Sequence, residues 1–234
     1  MNKVLLLGIA VTLMPAWALA GDTKKPADEL KSPNRIIVQP KDSVPAPGQM
    51  PDCIFWPSPP KAVEAMLKLA EVKRGEVLFD LGSGDGRICI AAAKTYGAHA
   101  YGYEIQAELV KKSLENVKKN HVEHLVTIEH RDIFKLDLSD ADVVSLWLLP
   151  ALNEKLIPQL EKMKPGSRIV SLDFDMLDIV KPDKVIEINV PPQADLPPGH
   201  WSQRPKRQIY LWRTPLKKDE KRSREILPEL SDKK

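Results

Sequence analysis

The chain has 234 residues, of which 43% are hydrophobic, enough for one ordinary domain with a sizeable core and some extensions. A formal charge of +3 is too small to imply a nucleic-acid partner by itself. The two cysteines and the histidines show no metal-ligand spacing, and a disulfide is left undecided by sequence.

Residues 1–20 read as a targeting segment. Lys3 supplies a positive start, Val4 to Leu13 an apolar run, and Ala18-Leu19-Ala20 a small-residue cleavage site before Gly21. The run is short for a membrane span, so export to the periplasm is expected, with an uncleaved membrane tether as the alternative. Residues 21–51 are polar and proline-punctuated, the pattern of an extended linker or of an arm lying on the domain. The domain proper is expected over 52–214, followed by a charged tail at 215–234.

Ser58-Pro59-Pro60 predicts a helix start, with serine as the cap and proline in the first turn. Val63, Met66, Leu67 and Ala70 then recur at helical spacing. The next stretch, Val77-Leu78-Phe79-Asp80-Leu81-Gly82-Ser83-Gly84-Asp85-Gly86-Arg87, is an apolar strand, a loop with glycine at every second position, and a helix start. Such a βαβ opening binds nucleotides, because glycines let a ligand approach the backbone closely. A dinucleotide fingerprint would want a third glycine where Arg87 stands, which disfavours a nicotinamide oxidoreductase. Asp80 and Asp85 bracket the loop; they would repel a pyrophosphate and suit a ligand carrying an ammonium and a sulfonium, as S-adenosylmethionine (SAM) does.

Asp-Leu-Gly-Ser-Gly-Asp-Gly-Arg resembles motif I of the class I, seven-stranded SAM-dependent methyltransferases. It looks most like the lysine methyltransferases that modify the ATP synthase c subunit and their bacterial relatives. The resemblance spans roughly residues 50–213. It implies an α/β, Rossmann-like, doubly wound seven-stranded sheet, mostly parallel with a C-terminal antiparallel hairpin. It also implies SAM as cofactor, bound by Asp80, Gly82, Ser83, Gly84, Asp85 and Gly86, and a proline element (Pro57-Ser58-Pro59) beside the cofactor pocket. A lysine amine as the methyl acceptor comes from the resemblance alone.

Ile88 to Lys94 predicts the first crossover helix, and Cys89 on it reads as a small core residue. Ala100 to Glu104 is a second strand ending in an acid. Its distance from the loop agrees with the ~20-residue spacing at which a carboxylate meets ribose hydroxyls. Leu109, Leu114 and Val117 predict the apolar stripe of a helix whose lysines form a solvated face. His121, His124 and His130 read as surface residues.

Leu125 to Glu129 is a third strand. Asp132 and Ile133 after it match the adenine-binding pattern of the resembled family. Ala141 to Pro150 is a continuous apolar run, as a buried central strand should be, with its exit. Ligands in open sheets sit beyond the carboxyl ends of the strands, so Trp147, Leu148, Leu149 and Pro150 are candidates for an acceptor crevice. Trp147 as plain core is the competing reading.

Leu152, Leu156, Leu160 and Met163 stripe the next helix, which Pro158 should bend. Arg168 to Leu172 is a fifth strand, and Asp173-Phe174-Asp175 follows at the same edge. Val185 to Val190 and Gln208 to Trp212 predict two final strands, joined by a proline-rich loop carrying His200 and Trp201.

The function expected is methyl transfer from SAM to a nucleophilic protein or small-molecule acceptor, with no nucleic acid and no metal. A non-catalytic scaffold of the cell envelope is the alternative reading.

Overall fold

A computed structural model describes residues 37–191 and 204–219. The targeting segment, the first part of the arm, the loop bearing His200 and Trp201, and most of the tail lie outside the described residues.

Seven strands form one sheet in the order β3-β2-β1-β4-β5-β7-β6. They are β1 (Val77–Leu81), β2 (His99–Glu104), β3 (Val126–His130), β4 (Val143–Leu146), β5 (Arg168–Leu172), β6 (Lys184–Asn189) and β7 (Lys206–Arg213). The first five are mutually parallel, and β7 runs antiparallel to both β5 and β6. This is the Rossmann-like architecture expected. The helices are α1 (Pro60–Leu69), α2 (Arg87–Tyr96), α3 (Ala107–Lys119) and α4 (Pro150–Leu160).

The strand chemistry explains the burial. All residues of β1 and β4 are buried, because helices or chain cover both faces of a parallel sheet. On one face Val63, Met66 and Leu67 of α1 pack with Ile88 and Ala92 of α2 and Val117 of α3. On the other, Leu156 and Leu160 of α4 pack with Phe79, Tyr103 and Leu146. β6 is one of the two edge strands, and its side chains are exposed or half-buried.

The order of the strands fixes where a ligand can sit. From β1 the chain winds outward through β2 and β3, then returns to the other side of β1 as β4. The connections leaving β1 and β4 therefore diverge, and a crevice opens beyond their carboxyl ends.

Two local expectations need correction. Ser58 does not cap α1: the cap position is Pro59, with no side-chain cap bond, and its carbonyl accepts from Ala62 and Val63. A proline at that position still presets φ for the helical turn, which begins at Pro60. The inward stripe of α3 is Val110, Ser113 and Val117, while Leu114 is 49% exposed. Ser113 takes the inner place because Gly86 approaches it; a Cβ on Gly86 would lie 2.2 Å from the Ser113 Oγ. The run from Ala141 to Pro150 is a strand and its exit, as expected: β4 ends at Leu146, Leu149 is the cap residue of α4 and Pro150 its first residue.

Residues 37–58 lie on the domain as an ordered strap. Gln39 Nε2 donates to the Tyr103 hydroxyl (3.1 Å) and to the Asp137 carbonyl (3.1 Å), and Asp132 N donates to the Ser43 carbonyl (2.7 Å).

Candidate cofactor and acceptor site

A cleft of about 830 Å³, counting the space open at its mouth, lies beyond β1, β2 and β4. Its floor is the glycine loop. Gly82, Gly84 and Gly86 all have positive φ, which lets the loop turn tightly out of β1. Only Gly82 of the three lines the cleft, beside Ser83 and Asp85. Gly84 and Gly86 have other work: a Cβ on Gly84 would lie 2.2 Å from the Phe55 ring, and Gly86 meets Ser113. Gly102 on β2 is required for the same closeness, since a Cβ there would come within 2.8 Å of Ser83.

The predicted acids converge on this cleft. Asp80, at the end of β1, is fully buried and accepts a hydrogen bond from Ser145 Oγ at 2.7 Å. Burial raises its pKa to about 7; the nearby charges of Glu104 and Asp85 push the same way, and the Ser145 bond opposes them. Cys89 lies behind it, with Sγ 3.9 Å from Asp80 Oδ2, and its thiol is pushed well up by burial. Both cysteines are free thiols.

Glu104 is held rigidly. Its Oε1 accepts from the backbone N–H of Ile105 and Gln106, and Oε2 accepts from Gly84 N, each at 2.9 Å. A carboxylate has about four lone-pair sites, so one remains to face the cleft.

Asp85 and Asp132 do more than the sequence suggested. The Arg87 guanidinium binds Asp85 in a fork, Nε to Oδ1 at 2.9 Å and Nη2 to Oδ2 at 2.6 Å. Burial alone would raise the Asp85 pKa, but the Arg87 contacts bring it below the usual carboxylate value. The same Arg87 donates from Nη1 to the Ser58 carbonyl at 2.7 Å. Asp132 Oδ1 accepts from Phe134 N at 3.0 Å, and Oδ2 accepts from Gln49 Nε2 at 3.2 Å. Each acid therefore ties an end of the strap to the site.

The strap lies on the domain and its Pro57-Ser58-Pro59 element reaches the cleft through Ser58, as expected, but sequence reasoning missed the wall that residues 53–56 build. Cys53, Phe55, Trp56 and Ser58 line the cleft, and the Phe55 ring sits on Gly84. The available signal was the aromatic pair Phe55-Trp56 inside an otherwise polar, proline-rich lead-in. Ile133 and Phe134 line the cleft beside Asp132. Of the four crevice candidates, Trp147 and Leu148 line it; Leu149 is 45% exposed at the start of α4, and Pro150 opens the helix rather than the cleft.

Ser83 Oγ lines this cleft, buried and without a hydrogen-bond partner among the described residues. An orphaned buried hydroxyl is paired in a working protein, by ligand or water. A polar ligand over the glycine loop satisfies it, so the residues present fit SAM.

The comparisons with known proteins agree. A family model for the ANTKMT methyltransferase domain matches residues 80–184, starting at Asp80. A protein-lysine N-methyltransferase of Saccharolobus islandicus is 42% identical over 129 residues, which span 54% of this chain and 80% of the relative. The chain belongs to the SAM-dependent methyltransferases, in one family with this relative. The rat lysine N-methyltransferase of the ATP synthase c subunit is 33% identical over 135 residues, and the chain spans 60% of that enzyme. Among solved structures, an RNA methyltransferase from Salinibacter ruber in complex with S-adenosyl-L-homocysteine is 43% identical, with a TM-score of 0.57. It covers 68% of this methyltransferase, which in turn covers 93% of it.

Proposed function

We propose that this methyltransferase modifies lysine amines of a protein. The observation that carries the reading is the joining, in one cleft, of the buried Asp80 and Ser83 with the apolar wall of Trp147, Leu148 and Leu152. The relatives from Saccharolobus and rat, both named for lysine methylation, support the choice of acceptor.

In this reading Asp80 and Ser83 hold the amino-acid end of SAM, Glu104 its ribose hydroxyls, and Asp132 with Ile133 its adenine. Asp85, with Arg87, orders the loop beneath the amino-acid end. SAM supplies an activated methyl group on a positive sulfur. A neutral amine would take that methyl group as the C–S bond broke, the sulfur keeping the electron pair. The protein's task is then to align and to dry the partners. A lysine amine in water has a pKa of about 10.4, and an apolar wall disfavours its charged form. Trp147, Leu148 and Leu152 thus raise the share of neutral nucleophile, and the proton leaves to water.

The test is transfer of a labelled methyl group from SAM by the purified protein into an extract of cell-envelope proteins and RNA. Mass spectrometry then locates the label. Methyl-lysine is expected, and Asp80→Ala and Glu104→Ala should abolish the label. Label in RNA, the acceptor named for the Salinibacter relative, would replace the lysine reading. No label in either fraction would leave it without support.

A further inference from the structure

Trp147 is not held by the cleft alone. The guanidinium carbon of Arg207, on β7, lies over the Trp147 ring, 5.4 Å from its centroid. Arg207 is 1% exposed. Its Nε lies 2.8 Å from both carboxylate oxygens of Asp173, and Nη2 bonds Oδ2 as well. Asp173 is the first residue beyond β5, in left-handed backbone at φ +65, and its N–H donates to the Gln208 carbonyl at 2.7 Å. The turn carrying it is braced by Asn153 of α4, whose Nδ2 donates to the Asp175 carbonyl at 3.0 Å, and by Ser171 Oγ on the Phe174 carbonyl at 2.6 Å.

Such an arrangement is an expensive way to close a sheet. A buried ion pair loses hydration that apolar residues of equal volume would not, so it is weak evidence for stability. A non-glycine residue in left-handed backbone adds a further cost, and such residues cluster at functional sites. The common target of these features is one ring that lines the cleft. An arginine stacks flat on an aromatic face and pairs in a fork with a carboxylate at once, which lysine cannot do.

We propose that Arg207 and Asp173 are positioning residues for Trp147, setting the plane of the ring that faces the methyl group and its acceptor. This rests on the reading of the cleft as a SAM site. It assigns to the β5–β7 side of the sheet a part in the methyl-transfer end, separate from the acids that hold the rest of the cofactor.

The test compares calorimetric affinities for SAM and for S-adenosylhomocysteine, which lacks the methyl group, and records the indole N–H resonance of Trp147, assigned with Trp147→Phe. Two changes are used. Arg207→Lys keeps the charge and loses the planar fork. Arg207→Met with Asp173→Leu removes both charges at similar volume. Expected are an unchanged affinity for S-adenosylhomocysteine, within twofold, a fall of fivefold or more in affinity for SAM relative to it, and a shifted Trp147 resonance. A wild-type ratio and resonance in either folded variant would overturn the proposal, as would a parallel loss of both affinities. If the wild-type protein binds neither compound, the reading of the cleft itself has failed.

Discussion

Asp80 and Ser145 face each other across β1 and β4 in register, and the serine hydroxyl donates to the carboxylate at 2.7 Å. The pair sits where the strand order reverses, so the most buried acid of the cleft is held from the neighbouring parallel strand. Its pKa of about 7 has consequences for binding. A cationic ligand favours the ionised form, so below pH 7 binding must expel a proton. SAM affinity is therefore expected to rise about tenfold from pH 6 to pH 7.5 and then level off. Calorimetry at pH 6 in buffers of different ionisation enthalpy should show proton release, and Asp80→Asn should lose the pH dependence along with most of the affinity. For stability the sign is opposite. The folded pKa is raised above 3.8, so this group's contribution is fully present below about pH 4 and is lost as pH rises through 7. Asp80→Asn should accordingly raise the melting temperature of the ligand-free protein at pH 8.

The contact between Phe55 and Gly84 predicts a coupled pair of substitutions. Gly84→Ala should lower SAM affinity tenfold or more, since its methyl group would invade the Phe55 ring and the backbone is at φ +55. Phe55→Ala should weaken SAM several-fold by opening the roof. In the double variant the alanine methyl meets no ring, so the combined loss should be smaller than the sum of the two single losses, as contacting residues generally show. Additive losses would mean that the strap does not rest on the loop when the ligand is bound.

Arg87 predicts an effect on exchange. Its guanidinium joins Asp85 to the Ser58 carbonyl. Arg87→Ala should speed release of S-adenosylhomocysteine in stopped-flow displacement and expose residues 51–58 to limited proteolysis. Unchanged release would place the latch elsewhere.

Away from the cleft, Arg168 of β5 binds Glu76 at 2.5 Å, and both side chains are largely buried. Arg168→Met leaves that carboxylate without its cation, which for buried pairs costs about 3–5 kcal/mol. Urea denaturation should show the loss, and Arg168→Met with Glu76→Met should recover much of it.

The export reading of residues 1–20 makes a prediction of its own. If Lys3 to Ala20 directs export, the protein recovered from a periplasmic fraction should begin at Gly21 by intact-mass measurement. A retained Met1 on a membrane fraction would favour the tether instead.

Much of this enzyme was legible in its sequence because its signals are local. The pattern from Val77 to Arg87 combines strand, turn and helix start in one unbroken stretch, and a backbone demand for glycine does not depend on distant partners. Glu104 was singled out by its place at a strand end and its spacing from the loop, and Asp132 by the resemblance. The mostly parallel sheet with its antiparallel β6 and β7 followed from the resemblance, beside the continuous apolar run of β4 and two late strand patterns.

What tertiary structure decided is pairing at long range. Nothing local indicates that Phe55 will sit on Gly84, that Gln49 will reach Asp132, or that Arg207 will lie over Trp147. Those contacts join residues 29, 83 and 60 positions apart, brought together only by the strand order. Motif I opened the reading as a nucleotide loop. The folded chain makes it the floor of a cleft whose roof is the strap, held there through Asp132 and through Asp85 with Arg87, because a carboxylate has lone pairs enough for several partners.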